Sequence, residues 1–486
     1  MAKESKEKKE KEPRIRRQPS ALESLILVAF SLGILMYNVV FLRGDAHIPL
    51  IIGTAVICVY SIYVLGFKWD EMMEAIGNGI KEIAVTILIY GIIGMMIACW
   101  IQAGIIPTLI YYGLKILNPK YFLVLAMLIC AIVSTATGSS WTTVGTMGVV
   151  FLSIGAGFGI PMAATAGASI SGAYFGDKIS PLSDTTNLAP AVAGGSLFGH
   201  IRHMLVSSGI SLVISGIIFF FMGLKYSGEG ADLSMVDEIS SAIQEGFNIN
   251  GLLLLVPCVV ILMGVLRQPS VPSLFLGVVL GAICAMLFQG VSFNDMQTAL
   301  QYGFEFESDS EMMAELLSGG GIQNMMWSMS LTLCAICFGS VLDATNMLHI
   351  LASKLLTLAK STGGLITCVV LTCLGTNIIT GDQYLGIILP GKMYRKEFED
   401  RGLAPQNLSR ALEDAATVTS PIVPWSSCAA VMVAALGIPT MEYLPFCYFS
   451  MISPLVSIFL GVTGISIIYT SEEAKKRRGA APADAA

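Results

Sequence analysis

Thr137-Gly138-Ser139-Ser140-Trp141 returns 243 residues later as Thr380-Gly381-Asp382-Gln383-Tyr384, and Ser180-Pro181 returns 240 residues later as Ser420-Pro421. Nearer the start of each half, Trp69-Asp70-Glu71-Met72 with Ala75-Ile76 is echoed by Phe293-Asn294-Asp295-Met296 with Ala299-Leu300, at an offset of 224. Each match is weak by itself. Three in the same order, at nearly constant offset, describe an internal duplication. Glycine, proline and clustered hydroxyl residues interrupt helices, so two of the matches repeat a break rather than a helix.

The breaks lie among long apolar runs. Residues 22–42, 48–67, 83–103, 204–224, 251–266 with 272–289, 322–342 and 443–469 approach the ~20 residues that cross a bilayer. Charged residues make up 13% of the chain, about half the ~25% that a water-soluble domain carries. The expected fold is an all-α polytopic membrane protein of two inverted-topology repeats, with about ten crossings, two re-entrant hairpins and broken helices at the midplane. Paired helix breaks at corresponding positions of two apolar halves are where secondary transporters place their binding sites.

Basic residues concentrate in cytoplasmic loops, and they orient the chain. Residues 1–20, with basic residues from Lys3 to Arg17, read as a disordered cytoplasmic tail rather than a cleaved signal peptide, because no small-residue cleavage site adjoins them. The first repeat covers 21–225 and holds a hairpin at 121–157 entering from outside. An external connector, 226–250, carries Glu229, Asp232, Asp237, Glu238 and Glu245. The second, inverted repeat covers 251–470 with a hairpin at 363–391 entering from inside. Its exit loop holds Lys392, Arg395, Lys396 and Arg401, and a cytoplasmic tail follows at 471–486 with Lys475 to Arg478. Both termini fall on the cytoplasmic side. Lys115 and Lys120 are placed outside, against the pattern.

Between residues 121 and 200 only Asp177, Lys178 and Asp184 belong to the Asp/Glu/Lys/Arg class. An ionised side chain at the bilayer centre costs at least ~2.5–3.5 kcal/mol, so these acids need compensation. Asp184, Thr185, Thr186 and Asn187 beside Ser180-Pro181 offer a carboxylate, hydroxyls, an amide and freed carbonyls, an all-oxygen set suited to a hard cation. Sodium held by Asp184, Thr186 and Asn187 is the favoured reading, ahead of a role for Asp177. The competing readings are a pair between Asp177 and Lys178, and capping of the next helix by Asp184 and Thr185. Thr137 to Thr143 is rich in Gly, Ser and Thr, which also suits close helix packing. Its counterpart contains Asp382, isolated in an apolar hairpin. Burial favours the neutral form of a lone carboxyl, which makes Asp382, before Asp177 or Asp414, the expected proton-exchanging group. Glu413 and Asp414 are adjacent and project about 100° apart on a helix, so at most one is expected to face the site.

Other residues read as structural. Cys334 and Cys337 have metal spacing but no partner pair or nearby histidine, and buried cysteine behaves as a small hydrophobe. His200 and His203, beside Arg202, suggest headgroup contact, with pH sensing as an alternative. No His-Glu-x-x-His, Gly-x-Ser-x-Gly or phosphate-cradling loop occurs, which argues against an enzyme. Nothing points to nucleic acid. A continuous channel suits paired breaks less well than alternating access.

Gly172-Ala173-Tyr174-Phe175-Gly176-Asp177-Lys178-Ile179-Ser180-Pro181-Leu182-Ser183-Asp184-Thr185-Thr186-Asn187-Leu188-Ala189-Pro190 strongly resembles the NhaC-type sodium/proton antiporter family, as do Ala136 to Trp141 and His200 to Met204. The resemblance runs over about residues 20–470. It implies a carrier of the cytoplasmic membrane, related to the larger ion-transporter superfamily, whose hairpin tips and broken helices bind sodium and substrate through Ser/Asn/Thr loops. Carried over, these loops are Ser139-Ser140 and Asp184 to Asn187, with Thr380, Asp382, Ser426 and Ser427 as second-half equivalents. Sodium is implied as the coupling ion, with no other cofactor. Protons are the expected counter-substrate and the lipid bilayer the surroundings, and homodimerisation is left open. The family also resembles sodium-coupled exchangers of malate and lactate and carriers of amino acids, so a small organic anion or amino acid is the alternative cargo.

Overall fold

A computed structural model describes residues 16–226, 233–308, 314, 317–357 and 359–470; for 233–238 only the backbone is described. The expected tail 1–20 lies outside these residues up to position 15, and 471–486 lies outside them entirely. Residues 16–20 belong to the folded body. The Arg17 amide donates to the Leu65 carbonyl at 3.0 Å, and Ser20 caps the first helix in a reciprocal box with Glu23.

Among the described residues the fold is helical, with two isolated β-bridges. Eight helices are long and apolar enough to cross a membrane: Ala21–Phe41, His47–Leu65, Ala84–Gln102, Pro119–Thr137, Leu197–Tyr226, Ser270–Phe288, Gln323–Ala344 and Thr362–Thr380. Three bent pairs raise the number to eleven, among them Pro405–Ile422 with Ser427–Leu436 at 47°. The all-α polytopic expectation holds. Large apolar side chains such as Leu22, Phe30, Ile48 and Phe221 remain exposed on the outer helices, as lipid-facing positions require. The expected connector contains a helix, Leu233–Gly246, and its residues 227–232 lie outside the described set.

The duplicated breaks share one backbone design. Helix Pro119–Thr137 ends on Gly138 at φ 71°, the left-handed conformation that terminates helices. Ser139 then lies extended and caps the next helix, its Oγ accepting from the Thr142 amide at 3.2 Å. Helix Thr362–Thr380 ends on Gly381 at φ 67°, and extended Asp382 caps Gln383–Asp400 by accepting from the Leu385 amide at 2.8 Å. Both first arms have 19 residues, about 28 Å at 1.5 Å per residue.

In each half the tip leans on a broken helix. Met162–Ile179 is interrupted at 180–183 before Asp184–Ala193, and a Cβ on Gly138 would lie 2.6 Å from the Leu182 Cβ. A Cβ on Gly381 would lie 2.9 Å from the carbonyl of Trp425, which is 243 residues after Leu182. Ser134 Oγ donates to the Ala173 carbonyl at 2.6 Å, and Asn377 Nδ2 donates to the Ala416 carbonyl at 2.5 Å, again 243 residues on. By these contacts Ser180-Pro181 and Ser420-Pro421, offset by 240, lie about one turn out of register. The first pair sits in the extended break, whereas the second opens a 3₁₀ turn ahead of it.

Gly172 and Gly176 explain the depth of the first break. A Cβ at either would come within 1.9 Å of the Met127 carbonyl oxygen or 2.3 Å of that of Ala131. Only glycine lets the two helices approach this closely, the small-residue packing used where lipid provides no hydrophobic drive.

Candidate functional site

The two tips meet at a cavity of about 550 Å³. Its wall includes Thr137 to Trp141 from the first tip, Asp177 and Leu182 to Thr185 from the broken helix, and Gln383 and Tyr384 from the second tip. Asp177, 9% exposed, supplies the wall's buried carboxylate. Its Oδ2 accepts from Ser140 Oγ at 2.6 Å and from the Ser140 amide at 3.2 Å, so the acid faces the start of a helix. That terminus carries positive partial charge and compensates an anion.

The four consecutive residues Asp184 to Asn187 divide their duties. Asp184 is exposed at the cavity wall in the first turn of its helix, which Ser183 starts. Thr185 is buried, with its Oγ1 3.2 Å from Ser183 Oγ. Thr186 Oγ1 donates to the carbonyls of Asp177 and Lys178, at 3.0 Å each, and so closes the end of the preceding helix. Asn187 Nδ2 donates to the carbonyls of Pro181 and Ser183 at 3.0 and 2.7 Å, bracing the break. Thr186 and Asn187 therefore tie up carbonyls that the sequence reading left free for sodium.

In the second half, Thr380 Oγ1 donates to the Thr376 carbonyl and accepts the Asp382 amide. Ser426 Oγ donates to the Ser420 carbonyl at 2.6 Å and caps Ser427–Leu436. The Ser427 amide donates to the Gly381 carbonyl at 2.9 Å, and its own carbonyl accepts from the Tyr90 hydroxyl. These residues lock the second tip to its broken helix.

Behind the cavity lies a buried charge cluster that the sequence revealed only in part. Lys178, fully buried, donates to Asp414 Oδ1 and, at 2.9 Å, to Ser453 Oγ. It does not pair with its neighbour Asp177. Ser207 Oγ and Ser453 Oγ also donate to Asp414 Oδ1, at 3.0 and 3.2 Å. Arg410, equally buried, brings Nε within 3.8 Å of Asp414 Oδ2 one turn away. Lys178 was expected to be the sole buried cation; Arg410 is a second, and its spacing of four from Asp414 was the available signal.

The expectation that at most one of Glu413 and Asp414 turns inward is corrected, since both are fully buried. They open a π-turn, Glu413–Thr417, in a segment covered on all sides, so a 100° separation does not carry either acid to a surface. His200 and His203 are likewise buried rather than set at headgroup level, because His200 Nδ1 lies 2.8 Å from Ser409 Oγ of the second half. Among the described residues no group of three or more His, Cys, Asp or Glu side chains is arranged to hold a metal, and Cys334 and Cys337 stand in a continuous helix.

Comparison with known proteins supports the same reading. Residues 172–465 match the model of the Na+/H+ antiporter family. The chain is 38% identical over 455 residues to the Na(+)/H(+) antiporter NhaC of Alkalihalophilus pseudofirmus, covering 93% of this chain and 98% of that protein. It is 35% identical to the malate-2H(+)/Na(+)-lactate antiporter of Bacillus subtilis, covering 95% and 98%. It is 36% identical to the arginine/ornithine antiporter ArcD of Halobacterium salinarum, covering 92% and 93%. With a glycine-locked tip, a break at Ser180-Pro181 and full-length similarity in agreement, this chain belongs to the Na+/H+ antiporter family.

Proposed function

We propose that the chain is a secondary active transporter of the cytoplasmic membrane that exchanges sodium ions for protons by alternating access. The observation that carries this reading is the cavity between the two tips, where buried Asp177 and the hydroxyl-bearing residues Ser139, Ser140, Ser183 and Thr185 form an oxygen-rich wall. One carboxylate with neutral oxygens suits a monovalent hard cation, and Asp184 at the wall is the outer ligand. Asp177 takes the central place because it is buried and unpaired with Lys178. The two tips act as the meeting point of inverted repeats, with both termini cytoplasmic. Its close relatives include proteins named as sodium/proton exchangers.

A second reading, exchange of a small organic acid or amino acid coupled to sodium or protons, draws on cavity size. About 550 Å³ exceeds what a lone cation fills, and Arg267 on the wall offers a partner for a carboxylate. Relatives named for malate and lactate or for arginine and ornithine support it. Flux in proteoliposomes separates the two. Sodium-driven proton movement with no organic solute present is expected; proton movement that appears only with an added organic acid or amino acid sinks the first reading and leaves the second.

A further inference from the structure

Every buried carboxylate around the cavity has a compensating partner except one. Asp177 faces the Ser140 amide and hydroxyl at the start of a helix. Asp382 caps another helix. Asp414 accepts from Lys178, Ser207 and Ser453 and lies beside Arg410. Glu413 is fully buried, and neither of its carboxyl oxygens has a hydrogen-bond partner. It stands at the start of the π-turn, a helix irregularity that recurs at functional sites.

The surroundings of Glu413 come from several elements. The broken helix of the first half presents Lys178 and Asp177, and the turn after the break presents the Thr185 hydroxyl. Helix Thr362–Thr380 presents Cys373 and helix Tyr448–Thr463 presents Ser453, while Arg410, Asp414 and Thr417 lie on its own segment. His200 and His203 face Asp414 from helix Leu197–Tyr226. Lys178 and Arg410 thus stand against three carboxylates, Asp177, Glu413 and Asp414. An uncompensated buried charge costs several kcal/mol, so the cluster is completed by one added positive charge.

We propose that Glu413 is the proton-carrying group of this transporter, holding a proton when the Asp177 site is empty and releasing it when a sodium ion enters. Thr185 links the two places, because its hydroxyl faces Glu413 and its residue lines the cavity. The Glu413 O–H gives its proton to Thr185 Oγ, whose own hydroxyl proton passes to water in the cavity. The Glu413 carboxylate is then balanced by the sodium charge at Asp177. One proton leaves for each sodium ion that enters this cluster, and the reverse transfer restores the start.

This inference rests on the sodium/proton reading, and the test separates the two. Purified full-length protein in liposomes, with an internal pH dye and no organic solute, reads sodium-driven proton movement; radioactive sodium reads sodium/sodium exchange. In Glu413→Gln, proton movement is expected to be lost and the remaining sodium/sodium exchange to lose its pH dependence. Glu413→Asp is expected to restore proton movement with a displaced pH profile. Wild-type proton movement in a folded Glu413→Gln protein overturns the role of Glu413 alone, whereas no sodium-driven proton movement in the unmodified protein overturns both proposals. A measurement on the unmodified protein covers the case in which the variant does not fold. Dicyclohexylcarbodiimide attacks protonated carboxyls in apolar surroundings, and mass spectrometry is expected to find its adduct at Glu413, diminished by sodium. An adduct indifferent to sodium, or placed on Asp382 instead, overturns the proposal.

Discussion

The two tips have the same backbone and exchanged chemistry. At the first, the tip contributes hydroxyls, Ser139 and Ser140, and the broken helix contributes the carboxylate, Asp177. At the second, the tip contributes the carboxylate, Asp382, and the broken helix contributes hydroxyls, Ser426 and Ser427. Left-handed glycines at φ 71° and 67° and caps in the next residue are common to both. The duplication preserves what holds a broken helix open, while the side chains have diverged. Asp177 opens onto the cavity, whereas Asp382 is absorbed in capping. Function therefore belongs to the asymmetry, and the duplicated features mark only where to look for it.

The largest expected effect tests whether the tips face opposite ways. Cysteine placed at Asn118, at the base of the first hairpin, should label from outside intact cells, and cysteine at Lys396, on the second hairpin's exit, only after permeabilisation. External labelling at Lys396 breaks the inverted arrangement. The next concerns the buried pair behind the first break. Lys178→Met leaves Asp414 without its strongest partner, and losing one member of a buried pair costs about 3–5 kcal/mol. A steep drop in thermal stability in detergent is expected; an unchanged melting temperature shows that Arg410 takes over.

Asp177→Asn and Asp382→Asn compare the two carboxylates directly. The first should raise the sodium concentration for half-maximal flux at least ~10-fold, a loss of about 1.4 kcal/mol of binding. The second retains a good cap, since Asn and Asp serve almost equally there, and should shift that concentration much less. Equal effects would show that both tips bind the ion; loss of proton movement in Asp382→Asn alone would transfer proton coupling to the second tip. The smallest effect concerns the caps. Ser139→Ala and Asp382→Ala should each cost about 1 kcal/mol of stability, measured by thermal unfolding in detergent. A far larger loss at Ser139 would mean that its contact with the Thr142 hydroxyl, 3.1 Å away, holds the first tip as a whole.

Much of this site was legible along the chain because breaks have local causes. Glycine in the left-handed region, a capping residue next to it and proline after serine act within a few residues, so Gly138, Ser139, Gly381 and Asp382 announced themselves. Asn187 and Thr186 were equally visible, but their role was not. An amide or hydroxyl beside a break serves an ion or the chain's own carbonyls with the same atoms, and only the 2.7–3.0 Å contacts decide between them. Glu413 and Arg410 were hidden for another reason. A short polar stretch reads as a surface loop until it is known what covers it.

By itself, the sequence determined the polytopic helical class, the two halves and the position of both tips. Apolar run length, helix-stopping residues and a repeat of 243 are properties of one dimension. Tertiary structure decided the rest: that Lys178 crosses to Asp414 instead of meeting Asp177, that Asp184 lies at the cavity wall while Asp177 is buried, and that Glu413 is left without a partner. Residues 236 apart pair in that interior because an isolated charge there is costly, and the cheapest available partner is set by which helices pack together rather than by which residues are neighbours in the chain.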